Sequence, residues 1–458
     1  MAAARTGKRE VDILRGSIGR GLFRLAVPIA LTQMLQQLFN AADIAVVGQF
    51  RGQNAMAAIG STGPLVGIIV TFFFGISVGS TVVIAHMIGL DDREGVSRAV
   101  GTSLLLAVCG GLLALALGEA LAVPILHAMS VPEETFSLSL LYFRIYLAGM
   151  PVILLYNFEA AIFRSYGDAH SPLSALTLAG IANVGMNLLF VCVLGMSVEG
   201  VALATVLSNV LSAGILLRRL GPRLGIDLPA SLRAGFHGES LRRIISIGLP
   251  AGVQGTMFSL SNIVIQSAVN QLGPAVMAAS AAAFNVEIMG YYVMNGFAQA
   301  ATTYVGQNYG AGQTKRCRTI LWKALVMDLI ATAAAAGLIL LTGRQLLSLF
   351  NTDPVFLDLG YTRFLFISGT CVLQVFIEVF SGALRGYGFS LVPAIVAIFG
   401  ICGVRVGWVY TVFAQNRTFR TLLVAYPVSW AATAAVLVLV YLFYMRHLNQ
   451  KESRRSTP

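Results

Sequence analysis

The chain carries two copies of one pattern, one in each half. Pro28 ends the segment LAVP and returns as Pro250 at the end of IGLP, and Asn40 returns as Asn262. Nearly the same spacing relates four further pairs: Gly89 and Gly310, Arg164 and Arg385, Gly167 and Gly388, Pro172 and Pro393. The repeat predicts two halves with the same order of secondary-structure elements.

The composition places both halves in a lipid bilayer. Hydrophobic residues make up 57% of the 458 residues and charged residues 11%, whereas about a quarter of an ordinary soluble domain is charged. Apolar runs of about 20 residues are long enough to cross the roughly 30 Å of hydrocarbon as helices. Twelve such runs are found, at 22–49, 57–86, 99–127, 140–163, 173–195, 198–217, 243–271, 277–305, 319–343, 361–384, 391–413 and 421–445.

These runs predict an all-α polytopic membrane protein with twelve transmembrane helices in two pseudo-symmetric lobes of six. The first lobe comprises residues 1–219, a cytoplasmic linker residues 220–240, the second lobe residues 241–446 and a cytoplasmic tail residues 447–458. A long repeat in an apolar chain is typical of transporters whose substrate site lies at the interface between two bundles. We therefore expect a transporter.

The basic residues predict the orientation in the membrane, because cytoplasmic loops hold an excess of Lys and Arg. Most of the 31 Lys and Arg residues lie on one side, including Arg5, Lys8 and Arg9 of the N-terminal arm. We therefore expect the protein in the inner (plasma) membrane, with both termini in the cytoplasm. The net charge of +11 then reflects topology, and no nucleic-acid partner is predicted, since that would need a basic face on a folded soluble domain.

Polar residues form a stripe on the first run. Gln33, Gln36, Asn40 and Asp43 recur at steps of three and four, so they share one face of a helix. Acids inside a membrane are costly and mark ion or substrate pathways. An ionised Asp43 would be poorly solvated at this depth unless a cation lies beside it. A proton or sodium switch requires a carboxylate whose charge depends on a cation in this way. The alternative is a carboxylate that only hydrogen-bonds neighbouring helices.

Several segments together resemble the multidrug and toxic compound extrusion (MATE) family. They are the first-run pattern from Pro28 to Asp43 and on to Phe50, the turn IGLDD at 88–92, FRSYGDAHSP at 163–172 and its echo LRGYGFSLVP at 384–393. The resemblance covers roughly residues 18–445. It implies a secondary antiporter with a V-shaped pair of lobes, which expels organic cations against an inward proton or sodium gradient.

The resemblance also implies roles for particular residues. Asp43 matches the main cation-coupling acid of the first lobe in bacterial and archaeal relatives, and Pro28 matches a proline at which the first helix bends in relatives. We expect Pro250 to have the same bending role in the second lobe. Many relatives carry a second acid where this chain has Asn187, one turn after Asn183; both amides can still bind Asp43 or a cation. Second-lobe acids of some relatives are replaced by Phe258 and Phe389.

Further polar residues are expected to line a substrate cavity or to form a buried charge network. Besides the first-run residues Gln33, Gln36 and Asn40, the cavity candidates are Asn262, Gln266, Glu287, Tyr291, Tyr292 and Asn295. The tyrosines could instead anchor packing. Arg405 needs a carboxylate at its depth, and we expect Glu378 to supply it, with Asp328 also buried; the pair is either structural or part of the mechanism. Glu159 and Arg164 are expected to form an interfacial ion pair.

The nearest alternative function is a flippase for lipids or lipid-linked oligosaccharides, which would need a cavity rich in Arg and Lys. An enzyme would need a catalytic motif such as HExxH, and none is found. A channel is a weaker alternative, because it would usually offer a selectivity loop or a symmetric ring of pore residues.

No motif predicts a cofactor, and the five cysteines show no metal-ligand spacing, so sodium at Asp43 is the sole metal considered. The expected partners are organic cations, protons or sodium ions and the lipid bilayer, and we expect a monomer.

Overall fold

The structure is a computed structural model that describes residues 12–456; of residues 449 and 451–456 only the backbone is described. Arg5, Lys8 and Arg9 therefore lie outside the described residues, as do the side chains of Lys451, Arg454 and Arg455 in the predicted tail. Over the described range the chain forms helices and short connections, with no β-strand.

The helices follow one another along the chain with short turns. Their bounds are α1 Ile18–Arg51, α2 Gln53–Gly89, α3 Arg93–Ala128, α4 Glu133–Ser165, α5 His170–Val193, α6 Val198–Leu224, α7 Leu228–Arg233, α8 Gly238–Asn270, α9 Pro274–Gly310, α10 Thr314–Ser348, α11 Pro354–Ile367, α12 Val372–Gly386, α13 Leu391–Phe413 and α14 Phe419–Ser456. Aspartates begin two of the membrane helices: Asp92 accepts a hydrogen bond from the Gly95 N–H, and Asp353 accepts one from Phe356.

Ten of the helices in the described part of the chain are long and apolar enough to cross a membrane, and α11 and α12 form an eleventh span if the bent pair counts as one. α1 has 34 residues, which is long enough, but its glutamines, Asn40 and Asp43 make it too polar to count by composition. With α1 included, each of the twelve predicted runs corresponds to a helix or to the bent pair.

The tenth predicted run, 361–384, is not one continuous helix. α11 ends at Ile367 and α12 begins at Val372, with a 46° bend between them. The break contains Ser368, Gly369 and Thr370, whose small or hydroxyl side chains favour turns over helix interiors. α11 also begins earlier than predicted, at Pro354, because Asp353 caps a helix whose first residue is proline.

The two halves repeat their turns as well as their helices. Gly52 and its repeat equivalent Gly273 both have a positive φ, of 83° and 97°, and so do Gly167 and Gly388, at 82° and 87°. L-residues with a side chain seldom adopt this conformation, whereas glycine adopts it freely. The repeat in the sequence therefore corresponds to equivalent backbone turns at the ends of equivalent helices.

The chain divides into two compact units. Among the described residues, the first unit comprises 12–17, 28–256 and 310–312, and the second comprises 18–27, 257–309 and 313–456. Each unit has its own apolar core, with Leu104, Leu154 and Phe163 buried in the first and Leu347 and Phe364 in the second. The lobe boundaries drawn from the sequence at 219 and 241 stay a prediction.

Glycines bring α2 and the first part of α8 into backbone contact. A Cβ on Gly75 of α2 would lie 2.2 Å from the backbone nitrogen of Gly252 of α8, and one on Gly79 would lie 2.2 Å from the Ile244 carbonyl oxygen. Small residues at such positions let membrane helices pack closely, since van der Waals contact drives their association. The glycine content of the chain thus has a packing role at this crossing.

The connection between α6 and α8 is folded against α3. The Ser231 carbonyl oxygen of α7 lies where a Cβ on Gly101 would be, at 2.0 Å, and the Ser231 hydroxyl is 2.8 Å from that of Ser97. The His237 N–H donates to the Thr102 hydroxyl at 3.1 Å. The hydrophilic linker expected from the sequence therefore contains a short helix docked on α3.

Candidate functional site

Asp43 lies buried in the first unit, where two other helices supply hydrogen-bond donors. Its side chain on α1 is 5% exposed. Asn187 of α5 donates from Nδ2 to Asp43 Oδ1 at 2.5 Å, and Thr205 of α6 donates to Oδ2 at 3.0 Å. The same Asn187 amide donates to Asn183 Oδ1 at 3.2 Å. The structure thus brings together the three residues that the sequence singled out for cation coupling.

The partners of Asp43 suit both of its protonation states. Thr205 Oγ1 also lies 3.0 Å from the Val201 carbonyl oxygen; a hydroxyl has one proton, so it donates either to a carboxylate or, while accepting from a carboxylic acid, to that carbonyl. The Asn187 Oδ1 atom is buried without a hydrogen-bond partner, and this oxygen can accept a hydrogen bond from a protonated carboxyl group or contact a cation. The arrangement can therefore hold a charged or a neutral Asp43.

The other polar residues of α1 lie in different surroundings. Gln33 and Gln36 are partly buried and line a cavity of about 20 Å³, with Tyr156, Asn157 and Arg164 of α4 on its walls. A cavity of this size has room for about one water molecule. Asn40 is exposed. The stripe thus has one member buried in contact with α5 and α6, two members beside a cavity and one on the surface.

The expected ion pair between Glu159 and Arg164 is wrong. Glu159 is fully buried on α4, and neither carboxyl oxygen has a hydrogen-bond partner. Arg164 lies 5.8 Å from the centroid of the Phe74 ring. Residues five apart point to different faces of a helix, whereas neighbours on one face are three or four apart, so the sequence spacing did not favour the pair.

In the second unit Glu287 is bound by an arginine, and its place in a substrate cavity stays a prediction. Arg363 of α11 contacts both Glu287 oxygens from Nε at 3.1 and 3.2 Å and approaches Oε2 from a terminal nitrogen at 3.0 Å. Its other terminal nitrogen donates to the Ser280 hydroxyl at 2.8 Å. Both charged side chains are 7% exposed.

The expected pairing of Arg405 with Glu378 is also wrong. Arg405 is 7% exposed, and its Nε donates to the Ser429 hydroxyl at 3.3 Å. Its guanidinium carbon lies 4.3 Å from the Tyr426 ring centroid and 5.6 Å from that of Trp430. Aromatic faces of α14 therefore stabilise the buried cation where a carboxylate was expected.

Glu378 and Asp328 are buried, as expected, but they lie among different neighbours. Arg385, further along α12, is the basic residue whose charge acts on Glu378, and Tyr291 of α9 lies near both. Asp328 accepts a hydrogen bond from Thr332 at 3.0 Å, while its second oxygen has no partner. Glu378 and Asp328 thus make no ion pair with Arg405 and have neighbours of their own.

The remaining cavity candidates differ in exposure. Tyr292 and Asn295 of α9 are partly buried, and the Tyr292 ring centroid lies 6.2 Å from that of Tyr291. Asn262 and Gln266 of α8 are exposed, and the Gln266 amide donates to Asn270 at 2.9 Å. Their part in a substrate cavity stays a prediction.

Two kinds of site residue were not predicted from the sequence. Thr205 carried no signal, because hydroxyl residues are common in membrane helices, where they bond to the backbone one turn earlier. A start for α11 at Pro354 would have placed Arg363 well inside the helix and not near its end. A search for aromatic as well as acidic partners of Arg405 would have considered Tyr426 and Trp430. Which face an arginine takes depends on helix packing, which spacing alone does not fix.

A duplicated all-helical chain with charged groups buried inside apolar helices has the features of a membrane transporter. The family model MatE matches residues 28–189 and again residues 250–411, so its two matches begin at Pro28 and Pro250. The chain therefore belongs to the MatE family. The prediction of this family from sequence motifs is confirmed.

Individual relatives support the same assignment over most of the chain. It is 27% identical over 449 residues to the probable multidrug resistance protein YoeA of Bacillus subtilis (strain 168), covering 96% of each protein. It is 26% identical to a protein of Shewanella oneidensis named FAD transporter, covering 76% of this chain and 77% of that protein. A crystal structure of MATE in complex with MaL6 matches with a TM-score of 0.90 and 25% identity, covering 97% of this chain and all of that one.

Together these findings confirm the predicted fold class and family. The protein is a multi-pass, all-α membrane protein and an efflux transporter of the MATE family, which handles small organic compounds and ions. It is not an enzyme, because members of this family are transporters.

Proposed function

We propose that this chain exports organic cations in exchange for inward protons, with Asp43 as the coupling carboxylate. The observation that carries the proposal is the buried Asp43, whose partners Asn187 and Thr205 can satisfy both its charged and its neutral form. A group that remains hydrogen-bonded in both states can gain and lose a proton without leaving an unsatisfied buried atom.

The exchange follows from competition for one negative charge. A proton that enters from outside neutralises Asp43, α1 rearranges around Pro28, and a bound organic cation loses its counter-charge and leaves outward. When the cavity faces the cytoplasm, the proton departs and the carboxylate attracts the next cation. Each charge that crosses the membrane field contributes about 2.3 kcal/mol per 100 mV, so an unequal exchange of charge can drive export.

Other residues have supporting roles in this proposal. Gln33, Gln36 and Asn40 of α1 and the polar residues of α8 and α9 contact the exported compound, and Pro28 and Pro250 allow α1 and α8 to bend. Sodium is the alternative coupling ion. It would be held by oxygen atoms of Asp43, Asn183, Asn187 and Thr205, which are the hard ligands that such a cation prefers.

The test is transport by the purified chain in proteoliposomes under an imposed proton or sodium gradient. The compounds are ethidium and norfloxacin, and FAD is added because one relative is named for it. We expect a proton gradient to drive export by the native chain and Asp43→Asn to abolish that export. Glu119→Gln, which removes a partly exposed carboxylate paired with Arg144, is the matched control and should leave export unchanged. Full gradient-driven export by Asp43→Asn would refute the coupling role.

We also propose that the protein is a monomer in the inner (plasma) membrane with both termini in the cytoplasm. The excess of Lys and Arg on one side supports this orientation. A green fluorescent protein fused to the C-terminus should fluoresce, since it folds in the cytoplasm, whereas an alkaline phosphatase fused there should be inactive. The reverse result would invert the topology.

A further inference from the structure

Arg405 uses little of its hydrogen-bonding capacity. The guanidinium group has five N–H donors and no acceptor. Within the described part of the chain, Arg405 makes a single hydrogen bond, from Nε to Ser429, although its side chain is more than nine-tenths buried. The two terminal nitrogens, the pair that binds carboxylates and phosphates in a forked arrangement, make no hydrogen bond to the protein there.

Two aromatic rings pack against this guanidinium, while its terminal nitrogens make no hydrogen bond to the described part of the chain. Tyr426 and Trp430 lie against Arg405 at 4.3 and 5.6 Å, and their own rings meet edge to face at 5.7 Å. Ser429 is oriented as well, because its hydroxyl donates to the Tyr426 carbonyl oxygen at 2.9 Å and accepts from Arg405. Because the planar cation is already held in place, it loses little further freedom when an anion binds.

The charges nearby are not balanced. Glu287 is engaged by Arg363 through three contacts, and Arg363 itself lies 5.9 Å from the Tyr426 ring. Two arginines therefore share one tyrosine and one carboxylate, which leaves one excess positive charge in this cluster. Buried charges are costly unless paired, so the excess charge favours an anion from outside the protein.

The helix around Arg405 departs from the repeat. Wider π-helical turns occupy Ile398–Gly403 before it and Val409–Phe413 after it. The second of these has a counterpart in the first half, Leu188–Val193 of α5, but the first has none, and Val184 stands where Arg405 would be. π-helical turns inside helices occur frequently at functional sites.

We propose that Arg405 binds the anionic group, a carboxylate or a phosphate, of an exported compound. The transporter then accepts zwitterionic and anionic compounds as well as simple cations, with the anionic group contacting the terminal nitrogens of Arg405 beside Tyr426 and Trp430. The inference rests on the proposed export function for its physiological meaning. Its test is a binding measurement that needs neither a gradient nor Asp43.

The structure supplies a reporter for that measurement. The chain has three tryptophans, so Trp322→Phe with Trp408→Phe leaves Trp430, next to Arg405, as the source of fluorescence. The purified full-length chain in detergent is titrated at constant ionic strength with benzoate, phenyl phosphate, benzylamine or benzyl alcohol. We expect a saturable change with benzoate or phenyl phosphate, whichever group the site prefers, and none with the cationic or neutral compound.

Variants separate binding from a structural role. Arg405→Gln should raise the dissociation constant of the anion at least about tenfold, since charge-assisted hydrogen bonds of this kind contribute about 1.5 to 3 kcal/mol. Arg405→Lys keeps the charge but loses the fork, and it should bind more weakly than the native chain; it decides the question if the Gln variant does not fold. Arg344→Gln, which removes an exposed arginine of the same unit, should bind normally.

The proposal is overturned by any of three results: no saturable change with either anion, an equal response to benzyl alcohol, or unchanged anion affinity in the folded Arg405 variants. Arg405 would then be a structural cation held by aromatic rings. Export that persists in Asp43→Asn would instead overturn the proposed function, and it would leave this binding result as measured.

Discussion

The amide of Asn187 donates a 2.5 Å hydrogen bond to the Asp43 carboxylate from a helix 144 residues further along the chain. Both side chains are buried, and the same amide also reaches Asn183. The contact connects the first helix of the repeat to the fifth and so ties the ionisable group to the packing of the first unit.

A double-mutant cycle between Asp43 and Asn187 should show strong coupling. Asp43→Leu and Asn187→Leu each remove the contact, and a single change leaves the other polar group buried without its partner, at a cost of about 1 to 3 kcal/mol. We expect the double variant to be more stable than the sum of the single effects predicts. Thermal unfolding in detergent measures this, and additive effects would contradict it.

The Glu287–Arg363 pair should matter far more to stability than an exposed pair. Glu287→Gln leaves a buried guanidinium without its counter-charge and should destabilise the protein by about 3 to 5 kcal/mol. Glu119→Gln is the matched control: the Glu119–Arg144 pair has a similar distance, 3.1 Å, but is more than a third exposed, and its loss should cost less than about 1 kcal/mol. Equal losses of stability in the two variants would show that burial of the first pair is not decisive.

Substitution of Gly75 should disrupt the crossing of α2 and α8. Gly75→Ala puts a methyl group 2.2 Å from the Gly252 backbone, which the helices can relieve only by moving apart, at a cost of about 1 to 3 kcal/mol. Gly67→Ala on the same helix meets no atom within 4 Å and should be neutral or slightly stabilising, because alanine favours helix. Apparent melting temperatures of the two variants decide this, and the same value for both would argue against a close crossing.

The repeat predicts how Gly312 tolerates side chains. Gly312 has φ 72°, no atom lies within 4 Å of a Cβ placed there, and its equivalent in the first half is Asp91 at φ 57°. Gly312→Ala should therefore lose about 1 kcal/mol from backbone strain alone. Gly312→Asp should lose less, because a short polar side chain is better tolerated in the left-handed region. Unfolding temperatures in the reverse order would mean that the two turns are not equivalent.

The sequence predicted the helices well, because hydropathy and length suffice for a membrane helix, and the internal repeat located equivalent turns. It predicted less well where a helix contains turn-forming residues, as at Ser368, Gly369 and Thr370, and where an aspartate cap extends a helix, as at Asp353. Asp43 was identified from an acid in an apolar run. The partners of the other buried charges were not, because contacts between helices depend on how each helix is rotated about its axis, and a single sequence does not determine that rotation.

The packing of α7 on α3 limits where the chain can be cut into two fragments for experiments on separate halves. Ser231 lies against Gly101, and His237 is hydrogen-bonded to Thr102, so a cut at either residue would remove a part of the first unit that packs on α3. Gly235 lies between those two contacts, and a Cβ placed on it would meet no atom within 4 Å. Two co-expressed fragments, or an inserted protease site or fluorescent tag, should therefore join at Gly235.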